Sequence, residues 1–400
     1  MRDAFKSKIK PLWIVLSARW GGPEQVAMSD MVDMANADIP ITLLCFEGSP
    51  VHAAALRHPR LKVYAIPSLT PSRFDWTFIR ELRAKVEEVG ANIVHINDER
   101  LLWHLRFALM RRPDVSIIVN RHALAERRYV YDVFRALLLR RLDYMIVLSE
   151  SIKGGLLIKR IIPEKRVKVI NLGLDFSRFD PAKSNGRAVR AAWGVDDDTI
   201  VIGSVGRLVP EVGQDTFLKA AAGLLKYHQW KVRFVIIGEE PLVASEEYVT
   251  HLKELVRQFH MEDVVTFGSL GDNLPDVMAA FDVFVMPGRE EVPGLGALEA
   301  LAMERPVVLS NVVGAEDIVG EREFGLLVRP EDAFDLQTQI LYLLQNPGRR
   351  SAMGTNGRHH VLKNFDKKTR FLKSEDLYER CIKRRFSRHG RGDSVRPRET

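Results

Sequence analysis

Along the 400-residue chain, short runs of Val, Ile and Leu alternate with longer stretches in which apolar residues recur every three or four positions. This alternation predicts parallel β-strands joined by crossover helices, because a strand buried on both faces reads as a continuous apolar run. The first half carries seven strand candidates, at 14–16, 41–46, 62–66, 93–96, 117–119, 145–148 and 167–170. The second half carries six, at 200–205, 232–237, 264–267, 283–286, 307–309 and 325–328. Helical periodicity separates the second set at 215–227, 248–259 and 299–303. The expected fold is α/β: two facing Rossmann-like, doubly wound domains with a cleft between them, where loops at the carboxyl ends of the strands meet helix N-termini.

Turn residues mark the join, namely Asn171-Leu172-Gly173, Pro181 and Ser184-Asn185-Gly186. They predict a first domain over 1–178 and a second over 179–365. A helix over 366–386 is expected to pack back on the first domain, leaving a basic, disordered tail over 387–400. A chain of this length exceeds what one core usually organises, which agrees with two domains.

Composition narrows the class. With 46% hydrophobic and 28% charged residues the chain reads as globular, and no apolar run approaches the roughly 20 residues that cross a bilayer. The start, residues 1–10, has basic residues without the apolar stretch of a secretory signal, so a cytoplasmic location is expected. Cys45 and Cys381 form neither a disulfide framework nor a metal cluster and read as structural. The net charge of +7 is unevenly spread: between Arg100 and Arg141 stand ten arginines against three acids, with Trp103, Phe107, Tyr129, Tyr131 and Phe134 among them. Two readings stand for this stretch, docking on an anionic membrane or phosphorylated acceptor, or solvated helix faces. No nucleic-acid-binding motif accompanies the charge. The tripeptide Arg391-Gly392-Asp393 reads as a chance occurrence in the tail.

Loops after strands should carry the chemistry. Gly21-Gly22 follow the opening strand and precede a helix over 25–35, allowing close backbone approach to a ligand or forming a plain tight turn. Gly206-Arg207-Leu208 follows the strand at 200–205, where a guanidinium can neutralise a departing diphosphate. In the segment from Glu291 to Ala302, Glu291 sits on a glycine-containing loop and Glu299 in the opening turn of a helix. The two carboxylates suit sugar and ribose hydroxyls, and the amides near Gly294 and Leu295 suit phosphate. Alternatively Glu299 merely complements the helix dipole. Asp196-Asp197-Asp198 precedes a strand at the edge away from such loops and reads as a turn rather than a metal site.

Gly206-Arg207-Leu208, the Glu291–Glu299 stretch and Pro306-Val307-Val308 resemble the retaining glycosyltransferases of family 4, of GT-B fold. Val94-His95, Ser149-Glu150, Asn171-Leu172-Gly173-Leu174-Asp175 with Arg178-Phe179, Gly238, Phe267-Gly268 and Gly325-Leu326-Leu327-Val328 extend the match over 14–365. The resemblance implies a UDP-, GDP- or ADP-linked sugar as donor substrate, a glycan or lipid-linked acceptor, no obligatory metal or other cofactor, and transfer with retention of configuration. It implies catalytic roles for His122, Arg207 and Glu291, and donor contacts from Gly21, Gly22, Arg207, Gly294, Leu295 and Glu299. His95 is left as a core or supporting residue. Bacterial surface polysaccharide or lipopolysaccharide synthesis is the expected setting, at the inner face of the membrane. The alternatives are a non-catalytic nucleotide-sugar-binding relative and a GT-B nucleotide-sugar epimerase.

One departure stands out. The family places a lysine five residues after the Arg of this motif, before a glycine, and here that place is Val212. Arg289 is the nearest substitute cation, though an exposed loop arginine is its plainer reading.

Overall fold

A computed structural model describes residues 6–67, 72, 75–122, 139–158, 162–227, 229–238, 246–269, 273–289, 294–320 and 322–389. The chain divides into two compact units, Met1–Asn171 with Lys368–Thr400, and Leu172–Lys367.

In the first unit, β1 (Pro11–Val15), β2 (Thr42–Phe46), β3 (Lys62–Ile66), β4 (Ile93–Ile96), β5 (Ser116–Arg121), β6 (Tyr144–Val147) and β7 (Val167–Val169) form one parallel sheet in the order β3-β2-β1-β4-β5-β6-β7. Every residue of β1, β2, β4 and β5 is buried, which is why they read as apolar runs. At the edge, β3 is partly exposed. β1 pairs with both β2 and β4, so the strand order reverses beside β1. In a doubly wound sheet the connections leave in opposite directions at that point and open a crevice at the carboxyl ends.

The second unit repeats the plan. Strands β8 (Ile200–Val205), β9 (Val232–Gly238), β10 (Val265–Ser269), β11 (Val283–Met286), β12 (Val307–Ser310) and β13 (Gly325–Val328) are parallel in the order β10-β9-β8-β11-β12-β13. The reversal falls between β8 and β11. Phe217, Phe234, Leu252, Val283 and Ile340 knit this sheet to its helices.

The division between units falls at 171/172 rather than 178/179. Backbone bonding explains the shift: the Leu174 amide donates to the Phe365 carbonyl (2.8 Å) and the Lys367 amide to the Leu174 carbonyl (3.1 Å), tying this segment to the second unit.

The helix Lys367–His389 extends past 386, three residues into the stretch expected to be tail. It buries Leu377, Tyr378, Cys381 and Ile382 in the first unit's core with Trp13 and Met31. Its Arg370 forms a fork on both Asp30 oxygens (2.7 Å each) and also donates to the Ile170 and Asn171 carbonyls at 2.9 and 2.7 Å. Each partner is 5–6% exposed, and the additional carbonyl contacts offset the cost of desolvating the pair. Residues 390–400, including the Arg391-Gly392-Asp393 tripeptide, lie outside the described residues. Cys45 and Cys381 are both buried and neither forms a disulfide among the described residues, and burial pushes the Cys45 thiol up to about 11. Among the described residues no helix is long and apolar enough to cross a membrane.

Candidate functional site

At the carboxyl end of the first sheet, the loop after β1 leads into the helix Gly22–Asn36, with Gly21 as its N-cap. The Gly21 amide donates to Glu24 Oε2 at 3.0 Å. A carboxylate of the chain itself therefore occupies this amide, so the phosphate-receiving role suggested for the turn would need Glu24 to move. Beside the loop lies a cavity of about 320 Å³, lined by Pro23, Glu24, Asn97, Asn120, Arg121 and His122 among others.

 A separate groove of about 600 Å³ in the second unit is lined by Phe324, Arg349, His359 and Lys363 among others.

His122 follows β5 directly, and both its ring nitrogens are buried without a hydrogen-bond partner among the described residues. Burial, with a smaller push from the Arg370 charge, lowers its pKa to about 4, so the ring is neutral at pH 7. A neutral imidazole with one donor and one acceptor unspent suits a ligand hydroxyl. His95, fully buried in β4, stacks on Trp13 at 3.8 Å and is pushed down to about 3, mainly by burial.

In the second unit, Gly206-Arg207 follow β8 and the segment Pro210–Val212 makes one turn of 3₁₀ helix. Gly213 then takes φ +79°, and a Cβ there would lie 2.0 Å from the Pro287 carbonyl oxygen, so only glycine lets this loop close on the end of β11. Arg207 is exposed, and its carbonyl accepts from Gln214 Nε2 at 2.9 Å. Val212 is 6% exposed, and its Cγ1 would be 3.3 Å from a Cβ at Gly206. An apolar side chain thus covers Gly206 at the family's lysine position.

Arg289 is not the exposed loop arginine expected. It donates to Asp215 Oδ2, Glu331 Oε1 and the Pro210 carbonyl, each at 2.7 Å, while its amide donates to the Glu211 carbonyl at 2.9 Å. Asp215 also accepts from Tyr248 Oη at 3.0 Å and Lys219 Nζ at 3.2 Å. This network was not legible in the sequence, because its members come from five separate loops and helices.

The helix expected at 299–303 begins at Leu295 instead, so Glu299 lies in its second turn and not its first. The reason is packing: a Cβ on Gly294 would meet Ile318 Cδ1 at 2.1 Å, and that close approach lets the chain turn into the helix at Leu295. Gly294 and Leu295 stand where helix amides lack partners within the helix. Burial raises the Glu299 carboxyl to about 7, against a downward pull from Arg178. Glu291 lies outside the described residues.

The arginine-rich stretch is less free than its composition suggests. Arg100, Arg112, Arg121 and Arg141 pair with Asp98, Asp114, Glu99 and Asp143, and Arg141 also donates to the Arg112 and Val115 carbonyls. Arg127, Arg128 and Arg135, with Tyr129, Tyr131 and Phe134, lie outside the described residues. Asp196 forms the expected turn, bonded to Thr199 Oγ1 at 2.5 Å and paired with Lys231. Among the described residues no three His, Cys, Asp or Glu side chains are grouped to hold a metal ion.

Comparison with known proteins follows the two units. Residues 20–178 match the model described as Glycosyltransferase Family 4, and residues 186–360 match that of Glycosyl transferases group 1. A D-inositol 3-phosphate glycosyltransferase 2 of Catenulispora acidiphila is 33% identical over 222 residues, 54% of this chain and 51% of the relative. A GDP-mannose-dependent monoacylated alpha-(1-6)-phosphatidylinositol monomannoside mannosyltransferase of Corynebacterium glutamicum is 34% identical over 198 residues, 47% of this chain and 50% of the relative. The chain thus spans about half the length of these curated relatives. Among solved structures, a glycosyltransferase from Rickettsia africae superposes with a TM-score of 0.84 at 17% identity, covering 94% of this chain and 99% of that one. Anabaena Alr3699/HepE in complex with UDP gives 0.80 at 20% identity, covering 92% and 99%. With matches across both units and this sheet order in each, the chain belongs to the family 4 glycosyltransferases of glycosyl transferases group 1 and has the α/β GT-B fold.

Proposed function

We propose that the chain transfers a sugar from a nucleotide-sugar donor to a glycan or lipid-linked acceptor with retention of configuration, in the synthesis of a bacterial cell-surface polysaccharide or glycolipid. The observation that carries this is the convergence at the second sheet's reversal point: exposed Arg207, the close-packed glycines Gly213 and Gly294, and half-buried Glu299. That is where a doubly wound sheet holds a nucleotide. In the transfer, the bond from the anomeric carbon to the diphosphate oxygen breaks and one to the acceptor oxygen forms on the same face. The departing phosphate takes the acceptor proton. Arg207 offsets the charge that develops there, Glu299 accepts from ribose hydroxyls, and Glu291 carries the role toward the sugar that the family resemblance implies. Neutral His122, in the cavity of the first unit, suits a ligand hydroxyl without gaining charge at pH 7. Relatives that use GDP-mannose and a fold neighbour crystallised with UDP support a nucleotide-linked donor. A relative in Staphylococcus aureus named for capsular polysaccharide biosynthesis supports the surface-glycan setting.

The test is a thermal-shift screen of UDP-, GDP- and ADP-sugars. A donor at a hundredfold its dissociation constant adds about 2.7 kcal/mol of stability. Arg207→Ala and Glu299→Ala are each expected to weaken that donor about tenfold, the worth of one charge-assisted hydrogen bond, with circular dichroism unchanged. Unaltered affinity in both variants would remove the donor assignment.

We further propose that the first unit docks on an anionic membrane surface. Exposed Trp76 and Met110 (60% and 67%) flank Phe107, on which Trp76 packs edge-on at 5.5 Å, and exposed Arg111 adjoins them. Trp76→Ser with Arg111→Gln is expected to reduce sedimentation with anionic vesicles several-fold at low salt. The wild type should lose binding as salt shortens the screening length toward about 8 Å. Equal sedimentation of both proteins would return these residues to an ordinary solvated face.

A further inference from the structure

Beneath the cavity at the end of the first sheet runs a line of side chains from the C-terminal helix to the glycine loop. The Tyr378 hydroxyl lies 2.7 Å from His95 Nδ1, and His95 Nε2 lies 2.9 Å from Asn120 Oδ1. Asn120 Nδ2 donates to Asn97 Oδ1 at 2.9 Å, and Asn97 Nδ2 donates to the Pro23 carbonyl at 3.2 Å. The direction of this chain is decided at its last member. A carbonyl oxygen only accepts, so Asn97 must present its NH₂ to Pro23 and its oxygen to Asn120. Asn120 must then turn its own oxygen to His95, whose Nε2 must carry the proton. His95 Nδ1 is left as an acceptor for the Tyr378 hydroxyl.

We infer that His95 and Tyr378 are positioning residues that orient Asn97 and Asn120 and anchor the glycine loop, so that the cavity beside His122 offers amide N–H donors to the oxygens of a bound ligand. Asn97, Asn120, Pro23 and His122 all line that cavity. Each amide nitrogen in the chain keeps a second N–H after its bond within the line. A reversed chain would offer carbonyl oxygens instead and favour ligand donors. Helix Lys367–His389, remote in sequence from the loop, thereby supplies the far anchor of the line through Tyr378. This deepens the reading of the cavity as a sugar- or acceptor-binding place, but its test needs no substrate, so the two fail separately.

The first measurement is the histidine tautomer by ¹⁵N NMR on the full chain. His95 is expected as the neutral Nε2–H form throughout pH 5 to 8, and an Nδ1–H form would overturn the inference outright. The second is hydrogen exchange of peptides covering residues 17–25. Asn97→Asp, which swaps the donor for an acceptor at a partly exposed position, and Tyr378→Phe are each expected to speed exchange there about tenfold. Peptides from β4 and β5 should keep wild-type rates in Asn97→Asp. Tyr378→Phe should keep His95 in the Nε2–H form, because the Pro23 carbonyl still fixes the direction of the line. Unchanged loop exchange in Asn97→Asp, or faster exchange spread evenly over the unit, would show that the line is ordinary core packing and overturn the positioning role.

Discussion

Val212→Lys is expected to raise turnover about a hundredfold, the worth of roughly 3 kcal/mol of added stabilisation for a departing diphosphate. The side chain of Val212 covers Gly206 at the end of β8, where it can neither donate a hydrogen bond nor offset charge. A lysine has the reach to pass Gly206 and bring its ammonium to the phosphate while its methylenes replace the valine contacts. Steady-state kinetics with the donor found by thermal shift would measure the gain. Arg289 is the competing cation, and its three side-chain acceptors argue that it serves as a clamp on the loop. If Val212→Lys gains nothing while Arg289→Ala loses turnover and keeps its melting temperature, Arg289 carries the phosphate charge. If neither change alters turnover and the wild type releases no nucleotide from any donor, the chain binds nucleotide sugars without transferring them.

Glu299→Gln is expected to remove a pH dependence of stability and another of binding. Burial raises this carboxyl to about 7, from an ordinary value of 4.5. The unfolded chain therefore holds fewer protons than the folded one between those values, and stability falls as pH rises from about 4.5 to about 7, then levels. The difference amounts to about 3 kcal/mol at pH 8. Thermal melts at pH 5 and pH 8 should show the wild type losing more stability than Glu299→Gln across that interval. Binding moves the opposite way, because ribose hydroxyls donate to a carboxylate better than to a carboxylic acid. Nucleotide affinity in the wild type should rise through pH 7, and in Glu299→Gln it should stay flat. Parallel melting curves for the two proteins would place the ionised carboxylate in water at all pH values.

All thirteen strands among the described residues were legible as apolar runs, within a few residues at each end, because parallel strands covered on both faces have no polar alternation to confuse the reading. Gly206-Arg207-Leu208 and the later glutamate stretch were legible as short motifs, and they pointed to the family to which the chain belongs. Loops lacking such demands carried less information. The start of the helix Leu295–Ala302 depends on Gly294 meeting Ile318, which no local pattern announces.

What the amino-acid sequence by itself determined was therefore the class of fold, the rhythm of its strands and the family, since local burial and short motifs encode all three. Tertiary structure alone decided the state of the charges. Ten arginines in one stretch look like a binding surface, yet Arg121 is spent on Glu99 and Arg141 on Asp143 and two carbonyls. Arg370 reaches Asp30 across 340 positions, and Tyr378 reaches His95 across 283. The low pKa of His122 and the high one of Glu299 likewise come from what encloses them. Ionisation and hydrogen-bond direction depend on the solvent and partners within a few ångströms of a group, and only the folded chain brings those partners together.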